Sequence, residues 1–325
     1  MDVRSKTALV LGVTGGIGGE TAKALLAEGW AVRALIRDPD RFQETQPSLA
    51  AKLDIVKGDA LHQDDVMIAA QGVQAILHGV NPPGYRDWER VVLPMMDNTL
   101  TAAAAIGDVR VVLPGTVYNY DPAAHSCVTD STPQQPLSRK GKIRVQMEQR
   151  LQDAVASSRV TGLIVRAGDY FGPNSRNTWF GQALVKPGKP IRRVVNPGYG
   201  HGHSWAFLPD VAEAIVRLLE IPEKLRPFER VGFEGLWDSD GTEMLHAIRT
   251  VTGNASLRQA RFPWWIMRLL VPFGGLPKEL ADIEPYWRHP LRLDNRRLKE
   301  LLGQEPHTPL NTAIRQTLSG LEVQY

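Results

Sequence analysis

One cysteine, Cys127, stands in a chain of 325 residues. That excludes an internal disulfide and fits a reducing compartment, and Cys127 reads as a loop thiol rather than a nucleophile. Long apolar runs are missing too. None reaches the roughly 20 residues needed to span a bilayer, and no charged-then-apolar leader precedes the first apolar run. The expectation is a cytoplasmic protein with no membrane partner. Charge of one sign is scarcely in excess: 38 Lys and Arg face 35 Asp and Glu, a net +3. This excludes an argument for nucleic acid, and the densest basic run, Arg296-Arg297-Leu298-Lys299, reads as a solvated helix face. A Gly-x-Ser-x-Gly elbow and a P-loop lysine motif are both absent, which argues against an α/β-hydrolase nucleophile and a P-loop NTPase. His201-Gly202-His203 offers two imidazoles at a strand spacing but no third ligand nearby, so no metal is expected.

What the chain does have is glycine in an informative place. Thr14-Gly15-Gly16-Ile17-Gly18-Gly19, with Gly12 just ahead, follows the apolar run Thr7-Ala8-Leu9-Val10-Leu11 and opens into Glu20 to Glu28, a good helix sequence. Strand, glycine turn and helix in that order is the context of a dinucleotide site. Missing side chains keep the turn tight and let a pyrophosphate approach the backbone. The helix N-terminus then offers free N–H groups and a positive dipole end. The competing reading is a glycine turn without a ligand.

Strand-like runs follow at Ala31–Arg37, Leu53–Asp59, Ala75–Val80, Val109–Leu113 and Val160–Arg166. Helix-like segments lie between them, including 86–106 despite Pro94 and 141–156. Such alternation predicts an α/β fold, a doubly wound parallel sheet with helices on both faces. After Gly172-Pro173 the pattern loosens into turns, a helix over 211–220 capped by Asp210, a strand at 228–233, and short helices from Gly241. Trp264, Trp265, Tyr286 and Trp287 in that stretch read as core. The expected division is interleaved: residues 1–170 and 204–233 form a Rossmann-type dinucleotide-binding domain, while 171–203 and 234–325 form a smaller, mostly helical substrate domain.

With these pieces in order, the chain resembles the extended and atypical short-chain dehydrogenase/reductase superfamily, the group that contains sugar-nucleotide epimerases. The glycine turn carries the resemblance, together with Gly58-Asp59, His78-Gly79-Val80, Arg166 before Phe171-Gly172-Pro173, and Phe207 to Ala212. It implies cofactor contacts at Gly12, Thr14, Gly15, Gly16, Ile17 and Gly18, at Asp59 and Ala60 toward adenine, and at His78, Gly79 and Val80. A carboxylate at the end of the second strand would bind the ribose of NAD and repel a 2′-phosphate. Arg37 stands there instead, with Arg33 on the same strand face, and a guanidinium can grip a phosphate with two parallel hydrogen bonds. NADP(H) is therefore the expected cofactor. Asp38 is the competing group, for the ribose or as a partner of Arg37.

The resemblance also implies hydride transfer assisted by a Ser or Thr, a Tyr and a Lys four residues on. Setting Glu148 on the glutamate often found in that helix puts Lys140 at the tyrosine position and Arg144 at the lysine position. Pro114 takes the usual hydroxyl position, with Thr116 two residues later. Three readings stay open. In the first, an NADP(H)-dependent oxidoreductase or epimerase-like enzyme uses a displaced proton donor (Lys140, lowered by burial or by Arg144, or Tyr118, Tyr120 or Thr116), and Arg144 holds the ribose. In the second, the fold binds NADP(H) without catalysis, as a redox sensor or regulatory protein. In the third, Lys140, Lys142 and Arg144 are a solvated face. A small-molecule substrate, a carbonyl, hydroxyl or sugar-type compound, is expected against loops such as 81–85, Trp88, Trp179, Arg192 and Trp205. A homodimer through 88–105 and 142–156 is the partner the resemblance implies.

Overall fold

A computed structural model describes residues 6–81 and 88–325 of the chain. The strands, in chain order, are β1 (Thr7–Leu11), β2 (Ala31–Ile36), β3 (Asp54–Lys57), β4 (Ala75–His78), β5 (Arg110–Thr116), β6 (Cys127–Val128), β7 (Thr161–Ala167), β8 (Asp169–Phe171), β9 (Arg193–Asn196), β10 (His203–Phe207), β11 (Phe228–Gly232), β12 (Leu236–Asp238), β13 (Arg258–Arg261) and β14 (Arg292–Leu293). Seven of them form one sheet in the order β11-β7-β5-β4-β1-β2-β3. Every neighbouring pair in it is parallel. The expected α/β fold with a doubly wound parallel sheet is what the chain adopts.

Period-two alternation explains the layers. Ala8 and Val10 of β1 face a core with Ala22 and Leu25 of α1 (Gly16–Ala27). Leu9 and Leu11 face the opposite core. After β2 the chain forms α2 (Pro39–Thr45) and α3 (Pro47–Ala50), whose Phe42, Leu49 and Ala50 join the same core as α1. The opposite core is built with α4 (Gln63–Ala69), α5 (Trp88–Ile106) and α6 (Arg139–Ser157) through Val66, Met96 and Met147. On the first face α7 (Leu208–Leu219) packs beside α1 with Val211, Ala214, Ile215 and Leu218. Helix α7 begins three residues before the expected start, after Phe207, with Pro209 in its first turn. Asp210 is not its cap. The carboxylate accepts the backbone N–H of Thr308 at 2.7 Å and its hydroxyl at 2.6 Å, because a distant turn supplies better donors than its own helix end.

The remaining helices are α8 (Glu243–Thr252), α9 (Trp264–Leu270), α10 (Gly275–Ala281), α11 (Pro285–Arg288), α12 (Arg296–Leu302) and α13 (Leu310–Gly320). A third, aromatic core gathers all of these but α12 around Trp179, Trp205, Trp264, Tyr286 and Trp287, while Leu298 and Leu301 of α12 join the first core. The Trp179 ring meets Trp287 at 5.1 Å and Trp264 at 5.7 Å. Trp179 and Trp205, expected to line a substrate site, are thus core, as are three of the four aromatics read so. Trp265 is the exception at 63% exposed. The basic run on α12 is not purely solvated either. Arg297 binds both oxygens of Glu229, a fully buried carboxylate on edge strand β11 that needs a cation.

Sheet and α6 are locked by one buried ion pair. Nη2 of Arg166 lies 2.8 Å from both Glu148 oxygens, and Nη1 donates to the Thr116 carbonyl at 2.6 Å. Asn119 and Gln134 donate to the same carboxylate at 2.8 and 2.6 Å. Breaking a buried pair strands the surviving charge, so Arg166→Ala is expected to cost about 3–5 kcal/mol, read as a lowered urea midpoint.

Candidate functional site at the carboxyl edge of the sheet

The chain leaves β1 toward β2 on one side and returns to β4 on the other, so the strand order switches between β1 and β4. Open parallel sheets bind ligands at the carboxyl ends of such strands. The glycines of the β1–α1 turn divide by what surrounds them. Gly12 has φ +90°, and a Cβ on it would lie 2.6 Å from the Gly79 carbonyl oxygen. On Gly18 a Cβ would lie 2.2 Å from the Gly12 oxygen. Both are therefore required by packing of turn, helix and β4. Gly16 is tight against Leu208, at 2.9 Å. Gly15 meets only its own turn, at 3.3 Å, and is exposed with Thr14, while Ile17 is half-buried. No side chain caps α1. An exposed glycine before an uncapped helix start leaves backbone N–H groups for an anion and room for it to come close. These residues fit the pyrophosphate of a dinucleotide.

Along the edge, Arg37 follows β2 exposed, with no ion pair among the described residues. Asp38 is occupied as the cap of α2, accepting from Arg41 N at 3.1 Å. Arg33 does not join Arg37. Its guanidinium reaches Asp54 at 2.6 Å and the carbonyls of Ala69 and Gln71, because mid-strand it points at the end of α4 instead of the strand terminus. Beyond β3, Asp59 is half-buried and accepts from Leu61 N at 3.0 Å. Ala60 is buried, with its carbonyl held by Asn98. Gly79 and Val80 are half-buried, and the expected lining at 82–85 falls outside the described residues, as does the start of the helix expected at 86.

His78 closes the floor of the edge. Thr99 donates its hydroxyl to the Met95 carbonyl at 2.9 Å, so its oxygen accepts from Nδ1 of His78 at 2.8 Å. That leaves Nε2 buried with no hydrogen-bond partner among the described residues. Burial, helped by the charge of Arg144, pushes the imidazole down to about 3. Arg144 also lies over the Trp88 ring, 5.2 Å from its centre, which makes Trp88 a support for the guanidinium. The same charge opposes the burial that raises Tyr170 to about 12. The Tyr170 hydroxyl is itself buried without a hydrogen-bond partner among the described residues. Arg144 thus acts on two unsatisfied polar atoms, from β4 and β8. The sequence reading named His78 and Arg144 but missed Tyr170, although it directly precedes the Phe171-Gly172-Pro173 turn.

The other expected catalytic groups lie nearby in different states. Thr116 ends β5, half-buried, its hydroxyl oxygen taking the Tyr118 N–H at 3.4 Å. The Tyr118 ring packs edge-on against Tyr286 at 4.9 Å, and its carbonyl accepts the Tyr286 hydroxyl at 2.9 Å. Tyr120 is buried under Arg166, 5.0 Å away. A Cβ on Gly141 would meet the Tyr118 oxygen at 2.1 Å, so that glycine serves contact between α6 and this turn. Lys140 is buried, not part of a solvated face, and its Nζ lies 3.0 Å from Glu279 of α10. Burial lowers its pKa, with Arg139 rather than Arg144 adding to that, and Glu279 opposes it. Farther out, His203 stacks on Trp287 at 3.7 Å and its Nε2 is 2.8 Å from Asp169. Among the described residues no three His, Cys, Asp or Glu groups converge to hold a metal.

Comparison with known proteins bears on this edge. The family model described as NAD(P)H-binding matches residues 12–180. The chain is 24% identical to dTDP-6-deoxy-L-talose 4-dehydrogenase (NAD(P)(+)) of Kitasatospora kifunensis, over 94% of this chain and 93% of that protein. Its fold is similar to that of UDP-glucuronic acid 4-epimerase from Bacillus cereus in complex with NAD, at a TM-score of 0.76 and 16% identity over 97% of this chain and 96% of the other. It is similar too to UDP-glucose 4-epimerase from Bifidobacterium longum in complex with NAD+ and UDP, at 0.73 and 15% over 97% and 98%.

Two outcomes follow from the geometry. Gly15→Ala is expected to fold with an unchanged melting midpoint and bind dinucleotide more weakly, whereas Gly18→Ala lowers the midpoint itself. Calorimetry with and without NADPH separates them. His78 is expected to stay neutral by NMR throughout pH 5–8. Its folded pKa lies below the unfolded 6.5, so the unfolded chain takes up the proton first. Stability from this group is present above pH 6.5 and falls, by up to about 1.4 kcal/mol per unit, as pH drops toward 3.

Proposed function

This chain belongs to the NAD(P)H-binding family, and from that premise we propose that it is an NADP(H)-dependent oxidoreductase or epimerase-like enzyme of the extended short-chain dehydrogenase/reductase type, acting on a hydroxyl or carbonyl carbon of a sugar-type substrate. The observation that carries the reading is the exposed, uncapped helix start at Gly15, seated where the strand order switches between β1 and β4. The dTDP- and UDP-sugars named for the relatives make a nucleotide sugar the first substrate class to try.

The turn from Gly12 to Gly18 holds the pyrophosphate, Asp59 and Ala60 border the adenine, and Arg37 takes the 2′-phosphate with its free guanidinium. Gly79 and Val80 border the dinucleotide at the end of β4, over His78. Arg144 takes the nicotinamide ribose in the lysine position as a permanent charge. The bound cofactor supplies the hydride chemistry. Proton handling falls to hydroxyls, not to Lys140, whose ion pair with Glu279 makes it a positioning residue. Tyr170 is protonated at neutral pH, and Arg144 stabilises the phenolate as the proton passes to the developing alkoxide. Thr116, at the same edge, orients the substrate oxygen, and Tyr118 holds the turn. The Lys140–Glu279 pair, standing where the family's acid is expected, favours the second reading of a binder without turnover.

NADPH oxidation against a panel of keto-sugar nucleotides and simple carbonyls separates the two, since a binder turns nothing over. Arg37→Asp is expected to weaken NADPH relative to NADH by about 10- to 100-fold, measured by fluorescence titration; an unchanged ratio rejects the NADP assignment. Tyr170→Phe is expected to lower kcat while leaving NADPH affinity intact.

A further inference from the structure

The stretch from Gly253 to Lys278 contains no Asp or Glu and four cations, Arg258, Arg261, Arg268 and Lys278. It folds into β13, α9, a single 3-10 turn at Val271–Phe273, and α10. Gly274 and Gly275 follow the turn with φ of +71° and +62°, and a Cβ on either would meet nothing within 4 Å. They serve the backbone reversal alone, at an open tip. Around that tip the large apolar side chains point outward: Trp265 is 63% exposed, Leu269 68%, Phe273 84% and Leu276 55%. Trp265 and Leu269 are four apart and share one stripe of α9.

The inner side of the same hairpin is fully engaged. Trp264 is buried and donates to the Pro197 carbonyl at 2.8 Å. Glu279 pairs with Lys140, and Asp282 accepts the Arg139 N–H at 3.1 Å. Arg268 is 3.4 Å from Glu284, while the other cations of the hairpin are exposed. Arg258, Arg261 and Lys278 have no ion pair among the described residues. Arg193, exposed, lies directly across the β9–β13 pairing from Arg258. Neighbouring like charges without counter-ions are unfavourable until an anionic surface meets them.

We infer that the α9–α10 hairpin is a surface anchor for an anionic lipid bilayer, with Trp265, Leu269, Phe273 and Leu276 entering the interface and the flanking arginines and Lys278 meeting headgroup phosphates. Exposed Trp, Phe and Leu beside a basic rim are the composition of interfacial anchors. A second copy of the chain fits less well, because two such faces brought together would oppose their own positive rims. No described helix is long and apolar enough to cross a membrane, and a surface contact needs none. The expectation of no membrane partner rested on the lack of spanning runs and of an evident exposed amphipathic helix, and the inference departs from it on the second ground, at the exposed Trp265–Leu269 stripe.

Sedimentation of the full chain with vesicles of phosphatidylglycerol and phosphatidylcholine, against phosphatidylcholine alone, tests it. The expected result is binding to the anionic vesicles at least about 10-fold stronger than to neutral ones and released by 0.5 M salt, roughly the loss that screening of several basic contacts implies. The variant W265S/L269S/F273S is expected to lose that binding and keep its NADPH affinity. Arg261→Glu with Lys278→Glu, which leaves the apolar residues in place, is expected to lose it as well. Equal partition to both vesicle types, no sedimentation, or binding retained by the charge-reversed variant overturns the inference. So does a dimer in light scattering that the serine variant dissolves, which assigns the patch to self-association.

Discussion

At the carboxyl ends of β1 and β4 two backbones come within the space of a single missing methyl group. Gly12 touches the carbonyl of Gly79, and Gly18 sits on the carbonyl of Gly12. Because neither contact tolerates a Cβ, the start of α1 is driven down onto the sheet and held beside the end of β4. The helix start that remains open, at Gly15, is a consequence of that compression. So is the alignment of the residues that border it. Arg37 at the end of β2, Asp59 after β3 and His78 at the end of β4 share one edge only because the strands are parallel and in register with β1.

A second constraint is electrostatic. Arg166 and Glu148 bury opposite charges at the junction of β7 and α6, and every other lone pair of the carboxylate is engaged by Asn119 or Gln134. This fixes α6 against the sheet, with Arg144 one turn from Glu148 and directed at the edge. The charge of Arg144 adds to the burial that lowers His78 and opposes the burial that raises Tyr170. Lys140, one turn farther toward the start of α6, is drawn to the opposite partner. Its ion pair with Glu279 ties α10 to the same helix, so the exposed hairpin and the sheet edge are mechanically continuous through α6.

The parallel sheet, its helices and the glycine turn were legible in the sequence because they depend on local patterning. Apolar runs of strand length, glycine at three-residue spacing and a helix-forming segment are each specified within about ten residues. Boundaries moved by one to four residues, and the expected cap Asp210 was claimed by Thr308. Arg33 and Arg37 looked equivalent by period two, yet Arg33 is consumed by Asp54 and two carbonyls while Arg37 is open. Period reports the face of a strand, and only position along it decides what a long side chain reaches.

The sequence by itself determined the fold class and the glycine turn, since each is a matter of residue type at a spacing, and it set Lys140 and Arg144 where the resemblance expects a Tyr-Lys pair. The tertiary structure decided which groups are spent and which are available. It placed Lys140 in an ion pair, buried Tyr170 and His78 within the influence of one charge, Arg144, and turned Trp264 inward and Trp265 outward. Those outcomes depend on partners 20 to more than 100 residues away, and pairing at such distances is set by packing of the whole chain, which no local pattern encodes.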